Sequence, residues 1–272
     1  MNPLRFENVH QIGGIRTGTL DWPEPGQRVA FFETGAGLRF TVALDRGGDI
    51  LEATHQQHAL AWLSSAGLRA PSHAYHSGIE WLQGWAGGLM TTCGPKYVGG
   101  PREEGGEQTT LHGRYSGQPA QIEMLRNPDP ARGQLEMELG LIIRESRMFG
   151  PTYEIRRRIR CTLGVPAISV HDEVTNRGDT RVPHHWLYHC NLGYPLLDEG
   201  ARFIYRGRAE YWIVPPPPGE DILQPLAAAE MNALKQVPGG LSEHVGAGER
   251  GLLIETAAAE DGLTHLALVN LK

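Results

Sequence analysis

Between Val174 and Glu199 the chain reads VTNRGDTRVPHHWLYHCNLGYPLLDE, which gathers His184, His185, His189 and Asn191 just ahead of two carboxylates, Asp198 and Glu199. Burying His184, His185, His189, Asn191 and Asp198 together with no ligand would leave many polar groups to satisfy. Part of this stretch is therefore expected to face a pocket, and imidazoles beside carboxylates are the usual material of general acid and base catalysis.

A second candidate is Leu111-His112-Gly113-Arg114. On an extended segment residues two apart share a face, which would set the imidazole of His112 beside the guanidinium of Arg114. The cation would then favour neutral His112, and the pair could hold ring hydroxyls or an oxyanion. A loop His next to an Arg that pairs with a surface carboxylate fits the same residues.

Upstream lies HAYHSGIEWLQGWAGG, residues 73 to 88. Trp81 and Trp85 offer flat indoles that can stack on the C–H face of a sugar ring while the N–H finds a polar partner, although core aromatics fit equally. His73, His76 and Glu80 invite a metal reading, yet Ser77-Gly78 is a poor helix on which to present them and Tyr75 is no usual ligand. No metal site is expected.

The elements that must position these residues read as short strands. Gly14 to Asp21, Gln27 to Glu33 and Leu38 to Ala43 are strand-forming runs separated by Gly-rich and Pro-Gly breaks, as in an antiparallel meander. Asp45-Arg46-Gly47-Gly48-Asp49 makes a turn into Ile50 to Ala53; a plain turn is expected there, with a close backbone approach as the alternative. Gln134 to Arg144, Tyr153 to Leu163 and Ala167 to Asn176 alternate apolar and polar residues. Leu135, Met137, Leu139, Leu141 and Ile143 share one parity, Ile155, Ile159, Cys161 and Leu163 oppose Glu154, Arg156, Arg158 and Arg160, and Ile168, Val170 and Val174 share a face. Such period-2 patterning predicts an antiparallel sheet with one wetted face, where the arginines meet cross-strand glutamates. Arg202 to Ile213 reads as an aromatic strand, Pro215 to Pro218 as a stiff linker, Leu223 to Leu234 as a short helix, and Gly251 to Glu255 and Thr264 to Asn270 as two last strands.

With 272 residues and strands throughout, a single all-β domain over 1–272 is expected. The net charge of −6 and pI near 6.1 give no basic field for nucleic acid or an anionic membrane surface, so a small neutral or mildly polar molecule is the expected partner. Cys93, Cys161 and Cys190 are odd in number and form no C-x-x-C, which argues against a disulfide framework or a zinc ribbon. The first residues show no cationic segment followed by an apolar run, and no stretch reaches roughly 18 apolar residues, so a cytoplasmic location is expected. Oligomeric state stays open.

Four segments, DRGGDILEA at 45 to 53, GGLMTTCG at 87 to 94, LHGR at 111 to 114 and LYHCNLGYPLLDEG at 187 to 200, together resemble the aldose 1-epimerase (galactose mutarotase-like) superfamily, and within it the bacterial branch usually labelled "aldose 1-epimerase family". The resemblance implies a twisted antiparallel β-supersandwich with a sugar cleft. It implies His189 as the general acid on the ring oxygen, His112 as a second site His, and chemistry without cofactor or metal. The family's base is a Glu near the C-terminus, past the point where this chain ends at Lys272; Glu255 is the one late Glu on an expected strand, and Asp198 or Glu199 are the alternatives if the chain is not truncated. Its sugar-binding Arg has no clear match, leaving Arg114 or Lys96, with Trp81, Trp85 and Asn191 as further sugar contacts. Three readings follow: a cofactor-free aldose 1-epimerase, a keto-sugar or sugar-acid isomerase or epimerase, and a non-catalytic carbohydrate-binding module.

Overall fold

The computed structural model describes residues 6–21, 25–104, 106–214, 224–225, 227–240 and 249–272. The chain divides into two compact units, Met1–Leu192 and Gly193–Lys272. In the first, β1 (Gly14–Leu20), β2 (Gln27–Glu33), β3 (Leu38–Ala43), β4 (Asp49–His55) and β5 (His58–Ala59) form an antiparallel meander in sequence order. A short β6 (Thr91–Cys93) and a small hairpin, β7 (Glu103–Glu104) with β8 (Glu107–Gln108), follow. A second antiparallel sheet joins β9 (Ala120–Arg126), β10 (Glu136–Ser146), β11 (Thr152–Thr162) and β12 (Ser169–Asn176), and β13 (Leu187–His189) pairs with β6.

The two large sheets share one apolar core. Ile15, Phe32, Phe40 and Val42 from the meander lie in the same buried cluster as Met137, Leu139, Leu141, Ile143, Ile155 and Ile159 from the second sheet. The period-2 pattern dictates this arrangement, because alternate residues of β10 and β11 must leave water on one side only. On the other face the expected Arg–Glu pairing is present. Arg126, Arg158 and Arg160 surround Glu138, while Arg144, Arg156 and Arg177 surround Glu154. The arginine stems cover their partners so well that Glu138 and Glu154 are only 4 % and 6 % exposed, although both stand on the outer parity.

One arginine of β11 stands on the inner parity. Arg157 is 0 % exposed and directly faces Asp172 across the β11–β12 ladder. Its Nε and Nη2 donate to both Asp172 oxygens at 2.8 Å, Nη2 also to Thr92 Oγ1 at 2.7 Å, and Nη1 to the carbonyls of Gly47 and Gly48 at 3.1 Å and to Asp49 Oδ1 at 3.3 Å. The turn at 45–49 is thus more than a plain turn: its backbone is pressed against the guanidinium. Both glycines adopt positive φ, and a Cβ would stand 2.7 Å from the Tyr115 ring at Gly47 and 2.5 Å from Leu141 at Gly48.

In the second unit β14 (Arg202–Tyr205) pairs with β18 (Leu266–Val269), and β15 (Gly207–Val214) is flanked by β16 (Gln224–Pro225) and β17 (Glu249–Thr256). The single aromatic strand expected over 202–213 is two strands, interrupted at Arg206, where Gly207 takes a φ of 146° against the Glu255 carbonyl. The helix expected from Leu223 starts later, as α1 (Ala228–Leu234); Gln224 and Pro225 are drawn into the ladder with β15 instead. The expected Pro215 to Pro218 linker lies outside the described residues. Among the described residues no helix is long and apolar enough to cross a membrane.

Replacing Arg157 with Met strands Asp172 and Asp49 in the interior without their counter-charge and is expected to destabilise the protein by about 3–5 kcal/mol in urea unfolding. Arg156→Met, one residue along on the wetted face, is expected to cost about 1 kcal/mol or less.

Candidate functional site

β6 and β13 form the floor of a cluster of aromatic and imidazole rings in the first unit. Their register sets His189 opposite Thr91 and Tyr188 opposite Thr92. Thr92 is the residue that Arg157 grips, and its backbone N–H donates to Asp49 Oδ1 at 3.0 Å, so the strand beneath His189 is tied to the buried ion cluster. Burial pushes the Asp49 carboxyl up to about 6 despite the neighbouring Arg157 cation.

His112 arrives from a turn. The segments around Gly94 and Gly113 run parallel and bridge each other, with the Gly94 N–H donating to the His112 carbonyl at 3.0 Å and the Tyr115 N–H to the Gly94 carbonyl at 3.2 Å. A Cβ on Gly94 would collide with the His185 carbonyl, and one on Gly113 would stand 2.5 Å from the Gly94 carbonyl. Only glycine allows this crossing. His112 itself has φ +58°, so 111–114 is no extended segment and the expected shared face of His112 and Arg114 does not form. The left-handed step sends Arg114 to a recess it shares with Lys96 and Glu145, while the His112 ring packs against His189, centroid to centroid 5.6 Å.

Three tryptophans complete the cluster. Trp81 meets the His112 ring at 5.4 Å and Trp85 meets His189 at 5.3 Å, both edge-on; Trp85 also contacts Trp81 at 5.1 Å and Trp62 at 5.3 Å. The indole N–H groups are committed, Trp81 to Ser116 Oγ at 3.3 Å and Trp85 to Thr91 Oγ1 at 3.1 Å. Trp81 is buried, Trp85 half-buried and Trp62 exposed, so the ring faces open to a ligand belong to Trp85 and Trp62. Trp62 was not singled out in the sequence, although it is the third Trp within 62–85.

Both His112 Nδ1 and His189 Nδ1 are shielded from solvent and lack a hydrogen-bond partner among the described residues. Buried, unsatisfied imidazole nitrogens cost stability and mark a site where a polar ligand would be welcome. Burial, and then the neighbouring His189, push His112 down to about 4, which leaves it a neutral imidazole at pH 7. The expected influence of Arg114 on His112 is replaced by these two. Arg114 acts on His76 instead, which burial first and then Arg114 bring down to about 4.

The remaining candidates lie elsewhere. The Asn191 amide donates to the carbonyls of Gly88 at 2.9 Å and His189 at 3.1 Å; it is buried and clamps backbone, where a sugar contact was expected. Glu255 sits on β17 in the second unit, well exposed, with Oε2 3.8 Å from Arg208 Nε. Asp198 and Glu199 also belong to the second unit, where Asp198 accepts from the Glu199 N–H and lies 3.4 Å from Lys272 Nζ, and Glu199 is exposed. Among the described residues no three metal-ligating side chains converge.

His112 and His76 take up protons in the unfolded chain near pH 6.5 but in the folded chain only near 4, so both make stability fall as pH drops from about 6.5 to 4. Asp49, raised, acts in the opposite sense between its ordinary 3.8 and 6. The readout is therefore a difference between proteins: the melting temperature of His112→Gln is expected to fall less than that of the wild type between pH 7 and 4.5.

No curated protein matches the chain. The fold is shared with the crystal structure of a "putative aldose 1-epimerase" from Klebsiella pneumoniae, with a TM-score of 0.74 at 21 % identity over 97 % of this chain and 67 % of that one. The Slr1438 protein from Synechocystis is similar at a TM-score of 0.50 and 15 % identity, over 71 % of this chain and 64 % of that one. The chain thus spans about two thirds of the length of either structure. In sequence, residues 24–272 match the family described as "Domain of unknown function (DUF4432)", and the chain belongs to that family.

Proposed function

We propose that the ring cluster is a carbohydrate site and that the protein is a cofactor-free aldose 1-epimerase. The observation that carries this is the pair of half-buried imidazoles, 5.6 Å apart, walled by tryptophans and with their inner nitrogens unsatisfied. An indole face packs on the C–H face of a pyranose, as the half-buried Trp85 and exposed Trp62 would. The shared fold with an aldose 1-epimerase-like structure supports the same reading.

In this mechanism His189 gives a proton to the ring oxygen while a base removes the anomeric hydroxyl proton. The C1–O5 bond breaks, its electron pair goes to O5, and an open-chain aldehyde forms. Rotation about C1–C2 and closure with the proton transfers reversed give the other anomer, with no net change in atoms or electrons. Neutral His112 suits a hydroxyl-holding role, since a site pushed down to about 4 is a weak base. The base would be a carboxylate.

Neither His112 Nδ1 nor His189 Nδ1 meets a carboxylate among the described residues, which favours carbohydrate binding without turnover as a second reading. Polarimetry on a panel of aldoses separates the two. Accelerated anomerisation that His189→Ala reduces by about 100-fold or more supports the enzyme; saturable calorimetric binding, weakened by Trp85→Ala, with anomerisation at the background rate supports the binding module. Solvent deuterium appearing on a sugar carbon would instead identify an isomerase, because mutarotation exchanges only O–H protons.

A further inference from the structure

The meander of β1 to β5 has two faces, and the main core takes only the one that carries Ile15, Phe32, Phe40 and Val42. On the opposite face Arg16, Phe31 and Thr41 stand in one cross-strand row. The ladder slips beside them: Phe40 pairs with Ala53 and Val42 with Ile50, so that Leu51 and Glu52 together oppose Thr41 alone. A bulge of this kind breaks the alternation of side chains. Leu51 and Glu52, neighbours in sequence, accordingly line the same cleft.

The cleft has a volume of about 240 Å³, and Leu20, Phe31, Leu51, Leu63, Leu68 and Ala86 make its wall apolar. One side is a short ribbon, in which Leu63 bridges Gly87 and the Ser64 N–H donates to the Ala86 carbonyl at 2.9 Å. Leu51, Leu68 and Ala86 form with Ala43 an apolar cluster separate from the main core, while Leu63 is left 46 % exposed and Phe31 37 %. We propose that this cleft binds a small apolar amine, its hydrocarbon part among the leucines and its ammonium on Glu52. The site does not depend on the sugar reading of the histidine pair, whose rings form no part of this wall.

Size and charge together select the ligand. An apolar cavity of about 150 Å³ takes a benzene ring, so this larger one has room for a ring with a short chain. Among the described residues Glu52 is the only charged side chain on its wall, and its carboxylate meets no cation or hydrogen-bond donor there. An ammonium supplies both, in a charge-assisted hydrogen bond, and Phe31 in the same wall is the kind of ring that an ammonium also favours. The neighbouring charges leave Glu52 available. A second cleft of about 210 Å³ shares Phe31, Thr41 and Glu52 and adds Arg16, Glu33 and Arg39. Arg39 is held by Glu33, through Nε at 3.0 Å and Nη2 at 2.8 Å. Arg16 stands on β1, three strands from β4 and so roughly 14 Å away at the strand spacing of a sheet.

Calorimetric titration of the whole chain with phenethylamine tests the proposal, alongside phenethyl alcohol and phenylpropionate, which keep the ring and replace the ammonium by a hydroxyl or a carboxylate. The amine is expected to bind saturably with a Kd of about 1 mM or below, about threefold or more tighter than the alcohol and about tenfold or more tighter than the acid. Glu52→Gln should remove the preference for amine over alcohol, and Leu63→Ser should weaken both by about threefold or more. Both residues are exposed, so both variants are expected to melt with the wild type. No saturable amine binding below about 20 mM, equal affinity for the amine and either analogue, or amine affinity that survives both substitutions would overturn it. So would a dimer in sedimentation velocity that Leu63→Ser dissociates, because a second copy of the chain would then fill the cleft.

Discussion

A guanidinium with no access to water must find an acceptor for every donor it carries, and the first unit is arranged around meeting that demand for Arg157. Asp172 supplies a two-pronged carboxylate from the neighbouring strand, the Gly47 and Gly48 carbonyls come from the turn between β3 and β4, and Thr92 reaches in from β6. Both large sheets and the strand under His189 therefore meet at one cation. Asp172 is itself shared: Tyr188, the residue before His189, donates to its Oδ2 at 2.7 Å. The interior of the unit thus extends by direct hydrogen bonds from the core of β11 to the strand that presents the candidate acid.

What this frame positions is polar yet poorly solvated. Gly94 and Gly113 let two backbones touch, and that contact fixes the turn that aims His112 at His189 and Arg114 away from it. Two residues apart in sequence, the imidazole and the guanidinium serve different surroundings, one aromatic and one charged. The neutral imidazole of His112 and the guanidinium of Arg114 are kept apart by two consecutive residues of positive φ, His112 and Gly113.

The strands of the first unit were legible because period-2 alternation leaves an unambiguous trace, and β2, β3 and the β10–β12 sheet sit within a few residues of their expected limits. Resemblance carried His112 and His189, and they do meet. The ion cluster was legible too, but in a form easily passed over: Arg157 lies on the parity of Ile155 and Ile159, and Asp172 on that of Val170 and Val174, so two opposite charges stand on adjoining apolar faces. The expectation for His112 and Arg114 failed because the parity rule presumes an extended backbone, and nothing in LHGR announces a positive φ at the His itself. Asn191 shows a related ambiguity: an amide in a polar-rich stretch satisfies backbone as readily as it satisfies a ligand, and its N–H groups serve the Gly88 and His189 carbonyls.

The arginines of β11 place one residue type in two dielectric surroundings along a single strand. Arg156, Arg158 and Arg160 face glutamates on the wetted side, where ions of the medium can approach, whereas the charge of Arg157 lies inside the protein with its partners. Added salt, whose atmosphere reaches only about 8 Å at physiological strength and does not penetrate the interior, weakens the outer row and leaves the inner ion alone. The strand should therefore keep its central anchor in brines that loosen its surface.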